Sequence, residues 1–155
     1  MTTLTAHIRW MIRADMSEIM EIERHSFEES WTEDDFIRCL RQRNCIGMVA
    51  EVGEKIAGFM IYEFYKSRLL ILNFAVHEDY RRHGIGRQMN DKLKSNLSCQ
   101  RRTRIELKVS ERNLDAQLFF RSVGYRAVSV LRNHFDNPVE DAYEMEFLYQ
   151  SLSSV

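Results

Sequence analysis

Ile71-Leu-Asn-Phe-Ala-Val-His-Glu-Asp-Tyr-Arg-Arg-His-Gly-Ile-Gly-Arg-Gln-Met89 is the stretch of this 155-residue chain whose reading decides the fold. An apolar strand runs into a loop with two glycines, and a helix follows at once. A helix start exposes unpaired backbone N–H groups and carries a partial positive charge. Glycine lacks a Cβ, so a phosphate can approach those N–H groups closely. Arg81, Arg82 and Arg87 add formal charge at the same point. A Walker A loop would end in Gly-Lys-Ser/Thr, but Arg87-Gln88 follows Gly86. A Rossmann loop needs a third glycine where Met89 stands. What remains is the pattern Arg/Gln-x-x-Gly-x-Gly/Ala, and Arg81-Arg82-His83-Gly84-Ile85-Gly86 matches all of it.

Working outward, Arg68 to His77 reads as a strand. Its run Leu69-Leu70-Ile71-Leu72 predicts burial on both faces and a central position. Gly84 opens a helix with Ile85, Met89, Leu93 and Leu97 at every fourth residue. Upstream, His7 to Arg13 reads as a strand, and Asp15 with Glu18 reads as the capping box of a first helix. Ile19, Ile22 and Phe27 form that helix's apolar stripe. Thr32 with Asp35 opens a second helix. Ile46 to Glu51 and Lys55 to Tyr65 form a hairpin across Gly53-Glu54. Downstream, Arg104 to Ser110 alternates, with Ile105, Leu107 and Val109 on one side. Asn113 caps a short helix with Leu114, Leu118 and Val123 inward, ending near Gly124. Two strands follow, Tyr125 to Phe135 and Ala142 to Tyr149. The expectation is an α/β fold in one domain over residues 1–155. Its mixed, mostly antiparallel sheet has about seven strands, with about four helices on both faces.

Composition narrows the partners. The formal net charge of -1 argues against bulk nucleic-acid binding. Cys39, Cys45 and Cys99 match no zinc or C-x-x-C spacing, so no metal is expected and the thiols read as reduced. The first ten residues lack a signal-peptide core, and no apolar run is long enough to span a membrane, so the expected location is the cytoplasm. The Tyr125 to Tyr149 hairpin is a candidate homodimer edge.

In this order and spacing the motifs resemble the GNAT N-acetyltransferases. Ile12-Arg13-Ala14-Asp15 looks like the family's first strand and helix start, and Asn73-Phe74-Ala75-Val76 with the glycine loop looks like its acetyl-CoA motif. Asn113 to Tyr125 looks like its second motif, Asn-x-x-Ala-x-x-Leu-Tyr-x-x-x-Gly-Phe. Within the superfamily the chain is most similar to the RimI-type enzymes, which acetylate the N-terminal alanine of a ribosomal protein. Ser26-Phe27 to Trp31-Thr-Glu-Asp-Asp-Phe36, Leu72 to Val76 and Arg132-Asn133-His134 carry that likeness. The resemblance implies direct attack of an amine on the acetyl-CoA thioester, with both bound. It implies pyrophosphate contacts from Arg81, Arg82, His83, Gly84, Ile85, Gly86 and Arg87. It puts the pantetheine arm along Phe74, Ala75 and Val76, an oxyanion donor near Val76, and further cofactor contacts at Asn113 and Phe120.

Two departures follow. The RimI-type glutamate base falls at Lys108, and the tyrosine that protonates the leaving thiolate falls at Phe120, which has no hydroxyl. The base can have moved: His134, expected on the loop between the last strands, is the first candidate, since an imidazole titrates at about 6.5. Glu106 is the second, about 7 Å from Lys108 on the same strand face. Asn73 interrupts an apolar run and is a candidate for holding a water at the site. Alternatively little base is needed. An α-amine of pKa about 8 is roughly a tenth neutral at pH 7, a lysine amine far less. That points to a protein N-terminus or another weakly basic small amine as acceptor. The third reading is an acetyl-CoA-binding sensor that barely turns over.

Overall fold

The computed structural model describes residues 2–136 and 139–149. In chain order the elements are β1 (His7–Trp10), a 3-10 turn (Arg13–Asp15), α1 (Met16–Ser26), α2 (Glu33–Leu40), β2 (Cys45–Val52), β3 (Lys55–Phe64) and β4 (Arg68–Val76). A second 3-10 turn (Glu78–Tyr80), α3 (Ile85–Lys94), β5 (Arg104–Ser110), α4 (Leu114–Ser122), β6 (Arg126–Asp136) and β7 (Val139–Leu148) complete them. The strands form a seven-stranded sheet in the order β1-β2-β3-β4-β5-β7-β6. The β4–β5 pair is parallel, and the β1–β2, β2–β3, β5–β7 and β6–β7 pairs are antiparallel. The mixed sheet expected from the sequence is therefore present, and β4 is its middle strand.

The chain divides into two compact units, the first 1–64 with 72–95 and the second 65–71 with 96–155. In the first, α1 and α2 bury Ile19, Ile22 and Phe36 with Val49, Phe59, Ile61 and Ala75 of the sheet. Gly58, next to Phe59 and so on the other face, meets α3. A Cβ there would stand 3.1 Å from both the Met89 sulfur and the Ala75 carbonyl. In the second unit, Phe120 and Tyr125 stack edge to face at 5.1 Å, and Tyr125 lies 5.8 Å from Phe147. β5 alternates as expected, with Ile105, Leu107 and Val109 buried.

Several expectations need correction. β1 ends at Trp10, not Arg13, because residues 13–15 turn. Asp15 does not box with Glu18. Its carboxylate accepts from the Ile12 N–H at 2.9 Å and from Arg9, while Glu18 accepts from the Ile56 N–H at 2.9 Å. The Thr32 cap does form as expected: Asp35 N–H donates to Thr32 Oγ1 at 3.2 Å and Thr32 N–H to Asp35 Oδ2 at 2.8 Å. β4 buries alternate residues, Leu69, Ile71, Asn73 and Ala75, and its other face is only half-buried. Leu114 and Leu118 point to solvent, at 59% and 54% exposure, while Phe120 is buried. Leu118 and Phe120 lie about 200° apart on a helix, so only one can face inward. The aromatic side chain, with more area to bury and Tyr125 to stack on, takes the inner face. No helix among the described residues is long and apolar enough to cross a membrane.

Candidate active site

The first unit carries a continuous strand–loop–helix cradle. After β4, the His77 N–H donates to the Ala57 carbonyl at 2.7 Å, and His77 Nδ1 accepts from the Asp79 N–H at 3.1 Å, closing the 3-10 turn. Arg81 folds back, its Nε donating to the Val76 carbonyl at 3.0 Å and its guanidinium reaching Ser26 Oγ at 3.5 Å. Arg82 and Gly84 both have left-handed backbones, φ 66° and 80°. Alternating handedness turns successive N–H groups into a concave anion nest. Gly84 is the N-cap of α3, so the helix start, whose N–H groups have no carbonyl of their own helix to bond, opens onto the same place. The structure thus brings Phe74, Ala75, Val76, Arg81, Arg82, His83, Gly84, Ile85, Gly86 and Arg87 into one strand-to-helix passage.

Sequence reasoning missed the strap that holds this passage. Residues Thr2 to Ala6 run along the loop. His83 Nδ1 donates to the Thr2 carbonyl at 2.7 Å, and the Leu4 N–H donates to the His83 carbonyl at 2.9 Å. The Gln88 amide joins the two: Nε2 donates to the carbonyls of Leu4 at 2.7 Å and Gly84 at 3.0 Å, and Oε1 accepts from the Ala6 N–H at 2.9 Å. The family resemblance sets His83 against a phosphate; in the structure its Nδ1 is committed to the strap.

Asn73 is buried, and its partner is a second buried side chain, Glu23. Asn73 Nδ2 donates to Glu23 Oε1 at 2.6 Å, and the Trp31 N–H donates to Glu23 Oε2 at 3.0 Å. Burial holds the Glu23 carboxyl above its ordinary range, against the pull of those two hydrogen bonds. The signal was present: Glu23 stands four residues after Ile19 and four before Phe27, inside the apolar stripe of α1.

The remaining candidates belong to the second unit, on separate elements. Glu106 on β5 is held by Arg104 Nε at 2.7 Å and by Arg68 at 3.5 Å, not by Lys108. Lys108 is exposed, in register with Glu144 of β7. Asn113 caps α4, its Oδ1 accepting from the Ala116 N–H at 3.1 Å. Phe120 is packed in the aromatic cluster, 5.2 Å from Phe119. His134 lies within β6, not on a loop. It is exposed, beside the irregularity at Asn133 (φ 51°), whose N–H donates to Asp141 at 2.8 Å. Among the described residues no group of three or more His, Cys, Asp or Glu stands together as a metal site. Burial pushes the Cys45 thiol up to about 12, which keeps it from being a nucleophile.

Known proteins agree with this architecture. The chain is 26% identical over 130 residues to the ribosomal protein bS18-alanine N-acetyltransferase of Escherichia coli, covering 84% of this chain and 86% of that one. The crystal structure of Ard1 from Thermoplasma volcanium superposes with a TM-score of 0.85 at 25% identity, over 96% of this chain and 100% of that one. Arabidopsis thaliana NAA60, solved in complex with acetyl-CoA, shares the fold at a TM-score of 0.78 and 19% identity, over 94% and 100%. The model of the acetyltransferase (GNAT) family matches residues 16–125, which include the glycine cradle, β5 and the Asn113 cap, and the chain belongs to that family.

Proposed function

We propose that the protein acetylates the N-terminal α-amine of a protein, using acetyl-CoA as donor, in the cytoplasm. The observation that carries the reading is the nest at Arg82–Gly84 opening onto α3, an anion site continuous with β4. It fits the pyrophosphate of acetyl-CoA, with Phe74 to Val76 offering backbone to the pantetheine arm as an added strand would. The α-amine preference is supported by the relatives' names and by the chain's own chemistry.

The neutral amine's lone pair attacks the thioester carbonyl carbon. A backbone N–H near Val76 stabilises the oxyanion. The C–S bond then breaks, the sulfur leaves with the electron pair, and the nitrogen sheds its extra proton. With lysine at 108 and phenylalanine at 120, the chain presents neither the RimI-type glutamate nor the tyrosine hydroxyl. An α-amine, roughly a tenth neutral at pH 7, asks least of the missing base. His134 is the group proposed to take the proton. Glu106, with both oxygens engaged by arginines, is the weaker choice. Asn73 donates to Glu23 through Nδ2, and its Oδ1 is the atom proposed to hold a water at the site.

The test is CoA release from acetyl-CoA with peptides led by Ala or Ser, against spermidine and aminoglycosides at equal concentration. Peptide turnover is expected, with His134→Ala lowering kcat at least about tenfold, the scale of one lost proton-transfer group. Tight acetyl-CoA binding with no acceptor-dependent CoA release would support a sensor instead.

The strap supplies a separate test of the cradle. Gln88→Ala removes the two hydrogen bonds that hold Leu4 and Ala6 and the third that holds Gly84 of the loop. The expected result is a KM for acetyl-CoA raised about 5- to 10-fold with kcat unchanged, since roughly one net hydrogen bond's worth of loop order is lost. An unchanged KM would mean the loop keeps its shape without the strap.

A further inference from the structure

We infer that Glu23 is a positioning residue for acetyl transfer, fixing the connection between α1 and α2 to the donor-binding strand β4 through Asn73. Glu23 is 1% exposed, so it cannot touch substrate. Burying a carboxylate costs several kcal/mol, and a leucine would fill the same stripe without that penalty. What the carboxylate does and a leucine could not is join two segments. Oε1 takes Asn73 Nδ2, one residue before Phe74 to Val76, and Oε2 takes the Trp31 N–H.

The segment held this way is compact. The Phe27 N–H donates to the Glu23 carbonyl at 3.1 Å, and Ser30 Oγ donates to the Phe27 carbonyl at 2.9 Å. Trp31 packs edge to face on Phe36 at 5.1 Å, and Phe36 on Phe59 at 5.6 Å. Residues 27–31 are therefore anchored to the α2 core by the Trp31 ring and to β4 by the Glu23 carboxylate. If these residues face the incoming amine, as the proposed function holds, Glu23 sets the acceptor's position against the strand that carries the acetyl donor. Its loss loosens the acceptor side while leaving the glycine cradle intact.

The experiment uses reciprocal exchange. Asn73→Asp places a second carboxylate 2.6 Å from Glu23 in place of a donor, and two carboxylates that close cannot both be ionised. Glu23→Gln combined with Asn73→Asp restores the pair with the donor reversed. The amide nitrogen introduced at position 23 would donate to the carboxylate at position 73, and the amide oxygen would still accept from the Trp31 N–H. The expected result for Asn73→Asp is an acceptor KM raised at least about tenfold, with the Kd for acetyl-CoA by calorimetry within about twofold of wild type. The double variant recovers the acceptor KM to within about threefold. A purely structural role would move both constants together and overturn the proposal, as would an unaltered acceptor KM in folded Asn73→Asp. Should Asn73→Asp fail to fold, Asn73→Ala takes its place with the same two constants, and the double variant still reads the rescue. Failure of the peptide reading shows separately, as wild-type turnover of a small amine. The variants are then run with that amine, and the same split between acceptor KM and donor Kd decides.

Discussion

Gly84→Val lowers kcat/KM for acetyl-CoA by about 100-fold, equivalent to roughly 2.7 kcal/mol, in a protein that still folds. The φ of 80° at Gly84 is left-handed, and a β-branched residue there costs at least about 1–2 kcal/mol. A Cβ would also stand 3.1 Å from the Thr3 methyl, pressing on the strap. The chain relieves both by rotating the Gly84 peptide, which takes an N–H out of the nest. A hydrogen bond to a charged group carries about 1.5–3 kcal/mol, so one N–H turned out of the nest accounts for the stated loss. Gly53→Val is the control. Its φ of 63° imposes the same backbone penalty, but a Cβ there meets nothing within 4 Å and the turn lies between β2 and β3. Steady-state kinetics with thermal melts separate the cases. Equal losses of kcat/KM in both variants would show strain alone at work and would remove the nest from the mechanism.

Asp15→Asn is the largest expected stability effect. Arg9 grips the Asp15 carboxylate with two parallel bonds of 2.8 Å, and the same carboxylate accepts the Ile12 N–H. The Asp15 side chain is 7% exposed and that of Arg9 25%, so solvent screens the pair only in part. Removing the charge leaves Arg9 with Glu51 as its carboxylate partner, at 3.1 Å. Breaking a fully buried pair costs about 3–5 kcal/mol, and with Glu51 remaining the expected loss is about 2–3 kcal/mol. For a chain of this size that is a fall in Tm of about 5–10 °C. The hydrogen bonds from Arg9 hold the Asp15 carboxyl below its ordinary value of 3.8. A lowered pKa means the stabilisation is complete above that ordinary value and is lost as pH falls through the folded one. The gap between wild type and Asp15→Asn is therefore widest near neutrality and closes in acid. A gap that stayed constant down to the lowest pH at which the protein folds would contradict this account.

These two residues also mark how far the sequence can be read. Gly84 is legible because its role is local: two glycines, three arginines and an apolar residue at every fourth position all sit between Arg81 and Leu97, and helix geometry does the rest. The alternation of β5 and the Thr32 cap are local in the same way. Asp15 reads as an N-terminal cap because the groups that claim it, Arg9 and the Ile12 N–H, compete with a box that looks equally good on paper. Leu118 and Phe120 pose a choice between helix faces that only the partner, Tyr125, resolves. Glu23 lies in plain view inside an apolar stripe, but its meaning depends on Asn73, fifty residues away. The Gln88 bridge to Leu4 and Ala6 spans more than eighty residues and leaves no periodic trace at all. Contacts of that separation, not local propensity, are what the sequence hides.

The strap has a consequence at the bench. Thr2 and Leu4 bond directly to His83, and Thr3 faces Gly84, so anything fused ahead of residue 2 emerges beside the loop proposed to hold the pyrophosphate. A purification handle placed there would put its side chains next to the proposed anion site, and a run of histidines, partly protonated with an ordinary pKa of about 6.5, would add positive charge against a bound pyrophosphate. Donor affinities measured on such a fusion would describe the handle as much as the enzyme.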